Sequence, residues 1–342
     1  MSKVTLKFIA NELNISTATV SKALKDYPDV NPITKKKVID LANKLEYSPN
    51  SIAQSLRNQE SKVIGLIIPQ IVHHFFANII KGVIDAAEAN GYLVITLQSR
   101  ESFEVEKKQV QLLYEKNVDG ILISLSDGTV NYDHISAIIN KGIPVVLYDK
   151  ISKLLDCSKI IIDDRTAAYN ATKYLIDSGC RSIAHIRGAL KPQTTIDRFM
   201  GYRKALTDHG LTFNNNLVFE TKNLLYKEGY EAVNKMRPYL DKVDGIFTTT
   251  DLLATGALVR IRELGYKIPD QISIMGFSNW FLTKITTPSL STVDQPGYKM
   301  GREAFKLLYT EIQALKVNDQ VKKQIIEIPT KIVLRESTKK IS

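Results

Sequence analysis

Residues 4–24 read VTLKFIANELNISTATVSKAL, and this stretch decides the fold of the first part of the chain. Its apolar residues recur at helical spacing, and Thr5 stands where it can cap a first helix. A short break at Asn14 and Ile15 separates this helix from a second one, which Ser16 can cap. Two short helices joined by so tight a link predict a helix-turn-helix.

A third helix completes the predicted unit, because Asn31 and Pro32 combine a cap with proline at the first helical position. The second helix turns Val20 and Ala23 inward. Its outward face then carries short side chains and one cation: Thr17, Ala18, Ser21 and Lys22. Such a face fits base edges and phosphates at close range. The alternative is a surface helix that is merely rich in serine and threonine.

The same residues resemble the DNA-binding headpiece of the lactose-repressor (LacI/GalR) family. The resemblance is carried by Val4-Thr5-Leu6, Ile9-Ala10, Ile15-Ser16, Thr19-Val20-Ser21-Lys22-Ala23-Leu24 and Tyr47-Ser48-Pro49-Asn50, and similarity continues through almost the whole chain. It implies a DNA-binding domain over residues 1–48. It also implies DNA contacts from Thr5, Ser16, Thr17, Ala18, Thr19, Ser21, Lys22 and Asn50.

Residues 50–57 are similar to the hinge helix of that family, and we predict a hinge and linker over residues 49–61. The segment has at most two turns and is too short to persist alone in water. The resemblance implies DNA contacts from Ala53, Gln54 and Leu56, with Leu56 as a wedge in the minor groove. The chain departs from the family at Gln54, where arginine is common. The alternative for Leu56 is a linker residue that packs on the core.

From Val63 onward, short apolar strands alternate with amphipathic helices, which predicts parallel sheets covered by helices on both faces. The predicted strands are Val63–Ile68, Leu93–Leu97, Gly120–Ser124, Val145–Asp149, Lys159–Ile162, Ile183–Ile186, Gly245–Thr249 and Ser273–Phe277. They are too many for one ordinary doubly wound sheet, so we expect two lobes of five or six strands over residues 62–342. The resemblance implies a periplasmic-binding-protein-like α/β core, with the chain crossing between lobes near residues 160 and 292.

A ligand of such sheets binds beyond the carboxyl ends of the strands, which here means the cleft between the lobes. Phe75 and Phe76 follow the first strand and resemble a family motif. They can pack against a sugar or a base, although we expect at least one of them to belong to the core. Asp149 ends the fourth strand, where it can accept hydroxyl hydrogen bonds or cap a loop.

Four further candidates come from the second half of the chain. Arg198 matches the family motif Arg-x-x-Gly-(Phe/Tyr). The forked N–H donors of its guanidinium suit vicinal hydroxyls or a carboxylate, and the alternative role is a salt bridge between lobes. Asp251 also matches a family motif, but we predict that it caps the following helix. Ser278 stands where most relatives have a ligand-binding aspartate. Trp280, the only tryptophan, can stack on a ligand or cover the core.

The composition agrees with a cytoplasmic protein that binds a polyanion. The 342 residues carry a formal charge of +10, and 44% of them are apolar. Residues 1–60 hold nine Lys and Arg against six Asp and Glu, so charge alone does not locate the DNA-binding part. Cys157 and Cys180 have no paired spacing. No secretory signal is visible, and no apolar run approaches the roughly 20 residues that span a membrane.

The sequence contains no Walker loop, dinucleotide fingerprint, zinc-protease motif or nucleophile elbow. We therefore expect no enzyme, cofactor or metal. No leucine heptad follows the core, and a homodimer that binds a palindromic operator is expected. Its operator affinity should depend on a small molecule, a sugar or sugar phosphate, with repression as the first expectation. The alternatives are an activator or a regulator with a protein corepressor, and a solute-binding protein.

Overall fold

The structure is a computed structural model that describes residues 4–47, 60–72, 74–320 and 322–341. The chain divides into two compact units, residues 1–61 and residues 62–342, and each is described by itself. Four of the predicted DNA contacts lie outside the described residues: Asn50, Ala53, Gln54 and Leu56. The same holds for most of the predicted hinge.

The first unit contains the three predicted helices: α1 (Leu6–Glu12), α2 (Thr17–Leu24) and α3 (Pro32–Lys44). Thr5, Ser16 and Asn31 cap them through side-chain oxygens that accept backbone N–H groups. Asn14 has a left-handed φ of 50° in the tight link between α1 and α2. The core is formed by Ile9, Ala10, Val20, Ala23, Val30, Val38 and Ala42.

The second unit contains two six-stranded sheets, each of which defines a lobe. The strands of the first lobe are β1 (Val63–Ile68), β2 (Leu93–Gln98), β3 (Gly120–Ile123), β4 (Val145–Tyr148), β5 (Ser158–Ile161) and β11 (Ile325–Glu327). Their order is β11-β5-β4-β3-β1-β2, and all neighbours are parallel. The carboxyl ends of these strands therefore meet at one edge of the sheet.

The strands of the second lobe are β6 (Ile183–Arg187), β7 (Val218–Glu220), β8 (Gly245–Thr248), β9 (Ser273–Phe277), β10 (Ser291–Asp294) and β12 (Lys331–Val333). Their order is β12-β10-β9-β8-β6-β7. Only β12 runs antiparallel to its neighbour, β10. The predicted architecture of two lobes with parallel sheets is confirmed.

Helices cover both sheets: α4 (His74–Glu88), α5 (Phe103–Glu115), α6 (Asp133–Asn140), α7 (Asp164–Asp177), α8 (Gln193–Asp208), α9 (Tyr226–Met236), α10 (Asp251–Glu263), α11 (Leu282–Ile285) and α12 (Gly297–Lys316). Two short 3-10 helices span Asn215–Leu217 and Arg237–Lys242. The α4–α12 contact is so close that a Cβ at Gly82 would lie 2.2 Å from the Tyr298 carbonyl oxygen. Glycine is required there because any side chain would separate the two helices.

All eight predicted strands are present to within a residue or two, but β7, β10, β11 and β12 were not predicted. Three of these four, β7, β11 and β12, have only three residues each, too few to show a period. The chain crosses to the second lobe after β5 and returns after β10, as predicted. It crosses a third time between β11 and β12, because β11 pairs with β5 and β12 pairs with β10. No described helix is long and apolar enough to cross a membrane.

Candidate DNA-reading face and effector cleft

The outward face of α2 carries the predicted short side chains. Thr17, Ala18 and Lys22 are exposed, and Thr19 and Ser21 are partly exposed. Ser16 Oγ accepts the Thr19 amide at 3.0 Å and lies 2.9 Å from Thr19 Oγ1. The hydroxyls of Ser16 and Thr19 therefore stabilise the first turn of α2, and the same two residues belong to the candidate DNA interface.

Lys22 forms an ion pair that the sequence pattern does not reveal. Its Nζ donates to Asp29, in the loop between α2 and α3, and both side chains are about half exposed, at 50% and 53%. The hydrogen bond from Lys22 holds the pKa of Asp29 below its ordinary value, so both groups are charged at neutral pH. Any DNA contact of Lys22 is therefore made beside a carboxylate.

Arg198 lies in α8 and is buried among fixed partners. Its Nε donates to Asp164 Oδ1 at 2.7 Å, and its Nη1 donates to the Thr249 carbonyl at 2.7 Å. The guanidinium carbon lies 3.7 Å from the centroid of the Phe277 ring. Arg198 therefore forms a salt bridge within the second lobe, and the salt bridge between lobes that was considered as an alternative is not the one found. The positive charge of Arg198 is already compensated.

Asp149, Gln295 and Ser278 form a chain of hydrogen bonds across the cleft. Asp149 follows β4 in the first lobe, and its Oδ1 accepts from Gln295 Nε2 at 3.1 Å. Gln295 lies on the crossover after β10, and its Oε1 accepts from Ser278 Oγ of the second lobe at 3.2 Å. Two of these residues were predicted as effector ligands, whereas Gln295 was missed. These hydrogen bonds show that the residues after β4 and after β9 come together in the cleft, as predicted from their positions at strand ends.

Both Asp149 and Ser278 have left-handed backbone angles, with φ values of 57° and 114°. A serine with φ near 114° is conformationally unfavourable and is held in place by the surrounding structure. Burial raises the pKa of Asp149 to about 7, the charge of Asp164 adds to this effect, and Arg198 opposes it. The cleft therefore contains a carboxyl group that titrates near neutral pH.

The prediction that Asp251 caps α10 is wrong. Thr250 is the cap, because its side chain accepts the Leu253 amide at 3.4 Å. Asp251 is buried one position later and accepts from Thr292 Oγ1 at 2.6 Å and from the Trp280 amide at 2.7 Å. Burial raises its pKa to about 6. Asp251 therefore anchors the loop after β9 instead of starting the helix.

The aromatic candidates divide into a core pair and an interlobe contact. Phe75 and Phe76 are each 5% exposed and belong to the hydrophobic core of the unit. The Trp280 ring stacks on His74, with centroids 5.9 Å apart and an interplanar angle of 19°. His74 begins α4 in the first lobe and Trp280 follows β9 in the second. The stack therefore joins the two lobes.

A cavity of about 280 Å³ opens at the border of the lobes, beside Asp149. The described residues that line it include five carboxylates and two cations, namely Asp149, Asp163, Asp164, Asp197, Glu327, Lys153 and Arg165. One of the cations is neutralised within the lining, because Arg165 Nη2 lies 2.9 Å from Asp197 Oδ1. A larger cavity of about 440 Å³ touches Ile183 at the start of β6, the edge opposite the cleft. Of the predicted effector residues, Asp149 lines the smaller cavity, whereas Ser278 and its partner Gln295 do not. We assign the candidate site to the hydrogen-bonded row of Asp149, Gln295 and Ser278 and to the smaller, acidic cavity beside Asp149, because parallel sheets bind ligands at their carboxyl edges.

Family models match both units of the chain. A model described as "Bacterial regulatory proteins, lacI family" matches residues 5–50, and one described as "Periplasmic binding proteins and sugar binding domain of LacI family" matches residues 61–336. The chain belongs to the LacI family. It is a DNA-binding transcriptional regulator and not an enzyme.

Similar proteins cover almost the full length of this LacI-family regulator. Catabolite control protein A of Priestia megaterium is 33% identical over 337 residues, which is 98% of this chain and 99% of that protein. The structure of the transcriptional regulator CelR in complex with cellobiose has a TM-score of 0.74 at 25% identity, covering 98% and 100% of the two chains. The lac repressor dimer bound to operator and the anti-inducer ONPF shares the fold, with a TM-score of 0.86 at 22% identity over 98% and 99%.

Two residues of the LacI-family core could not be found from their sequence context. Gln295 is one, since its partner Asp149 is 146 positions away. Ser124 is the other: it directly follows β3, is fully buried, and its Oγ has no hydrogen-bond partner among the described residues. An unpaired buried hydroxyl at the ligand edge of a sheet is costly unless a ligand or water completes it. The only available signal was its position at the end of a predicted strand.

Proposed function

We propose that the chain is a cytoplasmic, homodimeric repressor whose affinity for a palindromic operator is controlled by a small, uncharged polyhydroxylated effector. The observation that carries this proposal is the convergence of Asp149, Gln295 and Ser278 at the border of the lobes. We keep residues 1–48, 49–61 and 62–342 as headpiece, hinge and effector-binding core.

A polyol suits the donors and acceptors that the cleft provides. A carboxylate, a carboxamide and a hydroxyl lie in one hydrogen-bonded row, and a sugar that presents adjacent hydroxyls can replace each contact in turn. The charge of Arg198 acts on Asp149, and Ser124 follows β3 at the carboxyl edge of the first sheet. The cellobiose complex of the similar regulator CelR supports a sugar as the ligand class.

The charges of the cleft favour a neutral sugar over a sugar phosphate. Arg198 is already paired with Asp164 and covered by Phe277, and of the two cations that line the cavity Arg165 is paired with Asp197. Lys153 is then the one lining cation that faces the five carboxylates without an ion pair among the described residues. The cavity also contains more carboxylates than cations, so an anion would be repelled. Of the two expected effectors, a sugar and a sugar phosphate, we therefore propose the uncharged sugar.

The effector acts on DNA binding only if it prefers one arrangement of the lobes. Among the described residues, the contacts that join the lobes at the cleft include the Gln295 bridge and the rings of Trp280 and Phe281 against His74. A ligand that replaces Gln295 as the hydrogen-bond partner of Asp149 and Ser278 breaks the Gln295 bridge between the lobes. Closure around the ligand is the motion that such a hinge permits.

The first test recovers genomic DNA fragments bound by the purified protein and sequences them. One palindromic motif near promoters supports the dimeric reader, whereas binding that is salt-sensitive and sequence-independent contradicts it. The second test titrates the protein–operator complex with neutral sugars and with the matching sugar phosphates. Release by a neutral sugar supports the proposed effector class, and a response to the phosphates alone contradicts it.

A further inference from the structure

Asp29 is placed to control what Lys22 can contact. It lies in the loop between α2 and α3 and accepts a hydrogen bond from Lys22 Nζ. Lys22 supplies the positive charge on the outward face of α2, beside Thr17, Ala18 and Ser21. Since about half of each side chain is exposed, the pair is open to solvent and to a DNA surface.

A carboxylate beside a lysine affects phosphate contacts and base contacts differently. A phosphate that approaches Lys22 brings a second anion next to Asp29, and the two repel each other. The N7 and O6 atoms of guanine are neutral acceptors and meet no comparable repulsion. An ammonium has three donors, so Lys22 can keep its bond to Asp29 and still donate to a base edge.

We infer that Asp29 is a specificity-determining residue that withholds Lys22 from phosphates while leaving it able to donate to a guanine edge. Non-specific DNA binding depends almost wholly on phosphate neutralisation. Asp29 therefore lowers non-specific affinity more than operator affinity and raises the ratio between them. It is a positioning residue that acts through Lys22, and the inference rests on α2 being the recognition helix of the proposed function.

The same unit offers a matched control. Lys35 Nζ lies 2.7 Å from Asp26 Oδ1, and Lys35 belongs to α3. The Lys35 side chain is only 21% exposed, while that of Asp26 is 87% exposed. Asp26→Asn therefore removes the same charge as Asp29→Asn without releasing a cation on the outward face of α2. The comparison separates the release of Lys22 from a general loss of negative charge.

The experiment measures the affinity of the full chain for a random-sequence duplex over a series of KCl concentrations. We expect Asp29→Asn to bind roughly fivefold more tightly near 0.1 M salt and to steepen the slope of log K against log salt by about 0.9, the value for one added phosphate contact. Asp26→Asn should leave the slope unchanged. Equal slopes for the two variants would overturn the inference.

Two further measurements identify the route of the effect. In a Lys22→Ala background, Asp29→Asn should no longer change the slope, and a gain that persists there contradicts the inference. On a palindrome selected from a random pool, Asp29→Asn should lower the ratio of specific to non-specific affinity, and an unchanged or higher ratio also contradicts it. If the wild-type chain selects no palindrome, the proposed reader itself fails, and the salt slopes still decide whether Asp29 restrains Lys22.

Discussion

Replacing Asp149 by asparagine removes a charge from the cleft while keeping an oxygen that can accept from Gln295 Nε2. Burial raises the pKa of this carboxyl group in the folded chain to about 7, far above its ordinary value of 3.8. Between these two values the folded state holds more protons than the unfolded state. The free energy of unfolding therefore falls as the pH rises from about 4 to about 7. Asparagine cannot contribute to this pH dependence.

The size of the effect follows from the pKa difference. One pH unit corresponds to about 1.36 kcal/mol, so the interval between 3.8 and about 7 sets a ceiling of about 4 kcal/mol. Asp149 is only partly buried, so its charge is partly screened by solvent. We therefore expect Asp149→Asn to stabilise the core by about 2 kcal/mol at alkaline pH. The wild type and the variant should be about equally stable near pH 4.

Urea unfolding of both proteins across this pH range measures the difference. Asp251, whose pKa is raised to about 6, titrates in both proteins and therefore cancels from the comparison. The slope of unfolding free energy against urea should be the same for the two proteins, because the buried area does not change. A stability difference that is the same at acidic and alkaline pH would refute the reasoning, since it would show that the charge of Asp149 is not the cause.

Three other perturbations test the remaining assignments. Asp251→Ala removes the carboxylate that accepts from the buried Thr292 hydroxyl and the partly buried Trp280 amide, and we expect urea unfolding to show a loss of about 2–4 kcal/mol; a neutral effect would contradict the anchoring role. The fluorescence of Trp280 should change when an effector is titrated into the wild type, because Trp280 stacks on His74 across the lobes; an unchanged emission at saturation contradicts a place at the cleft. Leu56→Ala should weaken binding to the operator far more than to random DNA, as measured by electrophoretic mobility shift, and equal losses would contradict the minor-groove wedge.

The features that the sequence predicted correctly depend on residues close together in the chain. Thr5 and Ser16 cap their helices through bonds to amides three positions later, so short windows of sequence contain both partners. The apolar run of Val63–Ile68 is almost fully buried, as expected for a central parallel strand. Local chemistry of this kind was enough to predict the helix-turn-helix and the two lobes.

The errors arose where a distant partner decides the role of a residue. Asp251 looks like a helix cap in its local sequence, but Thr292 and the Trp280 amide compete for its carboxylate. Gln295 has no motif of its own and acquires its role from Asp149 in the other lobe. The capping rule was sound, and Thr250 satisfies it instead. A tertiary hydrogen bond outweighed the local preference.

The position of Gln295 explains how a small ligand could influence the core beyond its own contacts. Gln295 precedes α12 by two residues, and α12 packs closely on α4. At the start of α12, a Cβ on Gly297 would lie 2.9 Å from the Phe75 carbonyl oxygen, so the two helices have little room to slide independently. The helix α4 in turn begins at His74, whose ring stacks on Trp280. An effector that replaces the amide of Gln295 therefore acts beside the packed helices α4 and α12, and α4 also carries the stack of His74 on Trp280. It changes the state of the core only if it binds one arrangement of the lobes more tightly than the other.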